Sequence, residues 1–149
     1  MTRFIAFASP SDEPFGCLHP AIRYRGAFRE EDGTYWSTVA QYCIAQELAS
    51  SADRDAVRKA RDVEQADELA KSMTRVPDAE VKAFDVLRHG LRCSFETNLD
   101  LRAVLVSTGD ATIEAEWPRG VGENILGRAL MEVRAIVQQR ANDTQAIQC

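Results

Sequence analysis

The stretch from Gly120 to Arg134, Gly-Val-Gly-Glu-Asn-Ile-Leu-Gly-Arg-Ala-Leu-Met-Glu-Val-Arg, constrains this chain more than any other. It opens on backbone freedom and closes as a helix. Gly120 and Gly122 permit positive φ or the close approach of a ligand. Asn124 is placed to cap a helix through its side-chain oxygen. Ile125, Leu126, Ala129, Leu130, Val133 and Val137 then recur at helical spacing and make one apolar face. Gly127 falls inside that helix, where glycine costs roughly 1 kcal/mol relative to alanine, so something is expected to pack closely there. Such a segment serves either as plain core or as an anion-binding helix start.

The rest of the chain supplies the partners for that helix. The amino-terminal segment, Met-Thr-Arg-Phe-Ile-Ala-Phe-Ala-Ser-Pro, reads as an edge strand and has no secretory layout. Ile22, Tyr24 and Ala27 suggest a short strand or hairpin, and Glu30-Glu31-Asp32-Gly33 a turn. Residues 38–50 read as a helix with one buried face, capped by Ser37-Thr38. Two short charged helices are expected over 53–61, capped by Asp53, and 64–73. Pro77 starts a long helix that runs to about Thr97 on the stripe Val81, Phe84, Leu87, Leu91 and Phe95. Leu99 to Val106 makes a further helix and Thr108-Gly109-Asp110 a turn. Thr112 to Trp117 alternates like a strand, and Pro118 stops it. After Arg140 the polar residues 141–149 are expected to fray. The sum is a mainly helical α+β domain with a few short strands, a single domain over 1–149 with its core over about 15–137.

Totals narrow the function. A chain of 149 residues, 45% hydrophobic and 28% charged, suits one soluble core. A net charge of −5 argues against a broad nucleic-acid coat but leaves room for a local basic cleft. No apolar run approaches the roughly 20 residues that span a bilayer. Cys17, Cys43, Cys93 and Cys149 form no Cys-x-x-Cys pair, and only His19 and His89 could join them. A metal site is therefore not expected, and the thiols read as reduced in a cytoplasmic protein. Nothing in the composition calls for a cofactor.

Several residues could carry chemistry. Glu114 and Glu116 share one face of a strand, either for acid/base work or as two solvated carboxylates. Trp117, beside Pro118 and the glycine loop, is either a stacking platform for a base or core. Arg23, Arg25, Arg75, Arg119 and Arg134 could meet phosphate or pair with acids. His89 and Cys43 read as structural.

Three stretches then resemble one family in order along the chain. They are Gly33-x-Tyr35-x-x-Thr38-Val39-x-x-Tyr42-x-x-Ala45-Gln46, Leu91-Arg92-x-x-Phe95 with Asn98, Leu101, Thr108-Gly109 and Glu114, and Gly120-x-Gly122-x-Asn124-x-Leu126-Gly127 with Leu130 to Arg134. The pattern is similar to the NADAR family, the YbiA-type riboflavin-intermediate N-glycosidases, and it covers roughly Phe15 to Val137. The resemblance implies an N-glycosidase, or a ligand-binding relative, for an N-linked ribosyl-phosphate or ADP-ribosyl group, with or without an attached nucleobase. It also implies a carboxylate near the ribose carbon, from Glu114, Glu116, Asp78 or Glu47, the last taking the place of the family's lysine. Trp117, Gly120, Gly122, Asn124, Gly127, Arg119 and Tyr42 would contact the ligand. The family's acid and histidine after the first-helix valine are Ala40 and Gln41 here, and its tryptophan before the long helix is Asp78. Losing a general acid/base costs about 10²–10⁴-fold, so the rival reading is a non-catalytic protein-binding module on the same fold, for example phage- or defence-associated.

Overall fold

The computed structural model describes residues 4–115, 117 and 124–148. Its elements are β1 (Phe4–Phe7), β2 (Phe28–Arg29), β3 (Tyr35–Trp36), α1 (Val39–Gln46), α2 (Ser51–Arg58), α3 (Val63–Ala70), α4 (Ala79–Thr97), α5 (Leu99–Ser107), β4 (Thr112–Ala115) and α6 (Ile125–Gln148). This is the helical α+β domain read from the sequence.

α1 lies at the centre. Val39 to Ala45 are all buried, so the helix is enclosed on every side rather than on one face. It packs on α2, α3 and α4. Thr38 caps it as expected, its hydroxyl accepting from the Gln41 amide. Gln41 is fully buried and ties two helices together: its Nε2 donates to the carbonyls of Val57 (3.1 Å) and Ala60 (3.2 Å) at the end of α2. Its Oε1 accepts from Ser37 (2.9 Å) and Thr38 (3.0 Å). Polar groups so deep are tolerated because every hydrogen bond is met.

β1 and β4 pair in parallel, Phe4 opposite Thr112 and Phe7 opposite Ala115, so the first strand joins one more than a hundred residues further along. α6 covers this ribbon and also packs on α4. β2 and β3 form the small hairpin around the expected turn, where Gly33 sits at φ +90.

Some expectations shift. Residues 21–26 are turns, with Tyr24 at φ 64, instead of strand. Ser50, not Asp53, caps α2, because its hydroxyl accepts from the Asp53 amide. α6 continues to Gln148 without a break at Arg140: nothing in residues 141–148 is glycine or proline.

Candidate functional site

A cleft of about 820 Å³ opens between α1, α3, the start of α4 and the loop after β1. That is the size of a small-molecule site. Ile44, Val76, Ala83, Val86, Leu87, Trp117 and Ile125 make its apolar walls. Its polar lining comprises Ser9, His19, Gln46, Glu47, Asp67, Arg75, Glu80 and Lys82.

Backbone pairing builds the centre of this lining. After α1 the chain runs against residues 74–76: the Ala49 amide donates to the Thr74 carbonyl (2.9 Å) and the Val76 amide to the Glu47 carbonyl (2.8 Å). Glu47 and Arg75 are thereby set side by side, with guanidinium and carboxylate 3.3 Å apart. Burial raises the Glu47 pKa above the usual carboxylate value, and Arg75 offsets part of that rise. Burial also raises Asp67. Lys82 is held by Asp78 at 2.8 Å, on the turn before α4.

His19 enters from the other side. It is 95% buried by its 5% relative exposure. The Ala21 amide donates to its Nδ1 at 3.0 Å, and burial lowers its pKa to about 4. The imidazole is neutral at physiological pH, with its proton on Nε2. Nε2 has no hydrogen-bond partner among the described residues, yet none of their buried side-chain nitrogens or oxygens is left unsatisfied. Its N–H therefore opens onto the cleft that His19 lines. The rim beside it is shaped by Asp12, whose carboxylate accepts from the Ala8 and Ser9 amides at 2.8 and 3.0 Å.

Of the residues singled out from sequence, Glu47, Arg75, Trp117 and Cys43 line the cleft. Glu114 does not: the pleat turns Ile113 and Ala115 inward and leaves Glu114 exposed on the outer face of β4. Tyr42 is core, packed edge-on against Phe28 and Trp36 with ring centroids 5.5 and 5.4 Å away. Asn124 and Gly127 are also structural. Asn124, at φ 51, does not cap α6 with its side chain; the amide pins β4, accepting from Ala115 N–H (2.8 Å) and donating to the Ile113 carbonyl (2.9 Å). The close packing expected at Gly127 is this same contact, since a Cβ there would overlap the Ile113 carbonyl and the Asn124 amide. Glu116, Arg119, Gly120 and Gly122 lie outside the described residues. Arg134 is buried against Thr108 and the Ala111 carbonyl, and Arg23 bonds the Tyr24 hydroxyl. Ala40, the position of the family's acid, is fully buried and is not part of the cleft lining. His19, Asp67 and Glu80 were not singled out as site residues from sequence; only folding brings them beside Glu47. No group of three or more His, Cys, Asp or Glu residues among the described residues is placed to hold a metal ion.

The helical α+β domain thus carries an open, mostly apolar cleft with carboxylates in its lining. The NADAR domain model matches residues 6–138, and the chain belongs to that family. It is 29% identical over 136 residues to an N-glycosidase of Nostoc punctiforme, covering 82% of this chain and 85% of that one. It is 30% identical over 114 residues to the N-glycosidase YbiA of Escherichia coli K12, covering 69% of this chain and 71% of that one. The NMR structure of E. coli YbiA superposes with a TM-score of 0.81 at 27% identity, over 95% of this chain and 89% of that one. No helix among the described residues is long and apolar enough to cross a membrane.

Proposed function

We propose that this protein is an N-glycosidase that hydrolyses the bond between a ribosyl carbon and a nitrogen, on a ribosyl-phosphate or ADP-ribosyl compound. Membership of a family whose named relatives are N-glycosidases supports the reaction class. The observation that carries the chemistry is Glu47, a carboxylate with a raised pKa that shares a cleft with an indole. In the reaction the C1′–N bond breaks and its electron pair leaves with the nitrogen. Water adds to C1′, and Glu47 takes the proton that the water loses. A raised carboxylate pKa suits a general base near neutral pH. Arg75 holds Glu47 in place, and Trp117 offers a face on which the base stacks. An open cleft favours this reading over a protein-binding module whose pocket is filled.

The test is base release from ADP-ribosylated guanine and from the phosphoribosylated pyrimidine intermediates of riboflavin synthesis, followed by chromatography. Glu47→Gln is expected to lower kcat by about 10²–10⁴-fold with a small change in KM. No release from any of these substrates, together with no binding of ADP-ribose by calorimetry, would overturn the proposal.

A further inference from the structure

The charges around the cleft are unbalanced in a way that bears on the substrate. Glu47, Asp67 and Glu80 line it, against Arg75 and Lys82. Both of those cations already have partners, Arg75 in Glu47 (3.3 Å) and Lys82 in Asp78 (2.8 Å). Asp67 and Glu80 take part in no ion pair among the described residues. His19, the one imidazole in the lining, is neutral and contributes no positive charge. An anionic group seated on this wall would face two carboxylates and no uncommitted cation among the described residues. A positive group would be attracted by both.

The second observation is His19 itself. Its Nε2–H, on a residue with 5% exposure, has no hydrogen-bond partner among the described residues, and His19 lines the cleft. An imidazole N–H held at the cleft by packing is positioned to donate to an acceptor that enters the cleft in place of water.

We infer that the cleft lined by Glu47, Asp67, Glu80 and, from the other side, His19 seats a positively charged nitrogen heterocycle bearing a carbonyl, and that this heterocycle is the leaving group of the hydrolysis. His19 donates to the carbonyl, the carboxylates face the ring's charge, and Trp117 supplies the stacking surface. The inference rests on the N-glycosidase reading for the words "leaving group". The chemistry also accounts for Ala40. A heterocycle already positive at the glycosidic nitrogen becomes neutral when it takes the electron pair of the C1′–N bond. It needs no proton from an acid, so the position where the family carries an acid can be a buried alanine. Water supplies the new C1′–O bond, and Glu47 takes the released proton. Atoms and charge balance with no further reactant.

The experiment separates binding from chemistry. Calorimetry in mildly acidic buffer compares the 7,9-dimethylguaninium cation with neutral 9-methylguanine, two bases of nearly one shape that contain no glycosidic bond. The cation is expected to bind roughly five- to tenfold more tightly, the effect of two partly exposed charge pairs. The double variant Asp67→Asn, Glu80→Gln, at two exposed positions, is expected to erase that preference while leaving the neutral base unchanged. Equal affinities, or a preference for the neutral base, would overturn the inference. So would a preference that survives the double variant. Hydrolysis is scored in parallel on 7-methylguanosine, on guanosine and on ADP-ribosylated guanine. Turnover of guanosine or ADP-ribosylated guanine, whose bases carry no positive charge, without any cation preference would leave the glycosidase reading standing and remove the cationic seat. A cation preference with no turnover of any substrate would retain the seat and remove the glycosidase.

Discussion

His19 shows how much one buried side chain can decide. Burial holds its pKa at about 4, against 6.5 when it is free, while Asp12 pulls weakly the other way. Between those two values the unfolded chain binds more protons than the native one. Stability therefore falls as the pH is lowered from 6.5 toward 4, and this group contributes no slope above 6.5. The full difference is about 3 kcal/mol. Urea unfolding of the protein and of His19→Gln across this window should show the two stability curves converging as the pH falls, because the variant lacks that titration. Parallel curves would mean that His19 is protonated in the fold. No sequence pattern marks His19 as a site residue. Glu47 is distant from it in the chain, and the two share only the lining of the cleft.

At the scale of elements, the joint between β4 and α6 is the most demanding in the molecule. The helix starts so close to the strand that Gly127 lies against the Ile113 carbonyl, and Asn124 must adopt φ 51 to reach the strand edge. Gly127→Ala is expected to destabilise the fold by about 2–4 kcal/mol, through overlap with backbone that cannot give way. A shift in the urea midpoint at constant slope would measure it, and a neutral effect would contradict the packing. The sequence announced this joint through a glycine in a helix, which is a costly choice unless space demands it. It misled on Asn124, since a helix cap and a strand pin use the same amide and differ only in which backbone lies within reach. α1 was legible too, through Thr38 and its apolar run, but its burial on all sides depends on α2, α3 and α4, which periodicity within one helix cannot report. Glu47 is recognisable as a carboxylate on that helix, whereas its pairing with Arg75 arises from the antiparallel bridge between Leu48 and Arg75.

The molecule as a whole is closed by its ends. β1 supplies Ile5 and Phe7 to the core, both 6% exposed, and is paired with a strand more than a hundred residues away in sequence. Deleting residues 1–7 removes two buried side chains, at roughly 1.5–3 kcal/mol each, together with the ladder that holds β4. The truncated chain is expected to lose its cooperative thermal transition by circular dichroism, and an unchanged melting temperature would show that β1 is dispensable. Alternation in residues 112–117 pointed to β4, but the parallel partner was hidden because nothing local distinguishes a parallel neighbour from an antiparallel one.

The pin that Asn124 drives into β4 has a consequence beyond holding a helix. A ribbon of only two strands normally leaves backbone donors and acceptors bare along both margins, an invitation to another chain. On the margin of β4 away from β1, the Ala115 N–H and the Ile113 carbonyl are already occupied by a carboxamide that imitates one peptide unit of a third strand. A single side chain thus ends the sheet where it would otherwise grow, and guards the domain against recruitment into intermolecular β-structure.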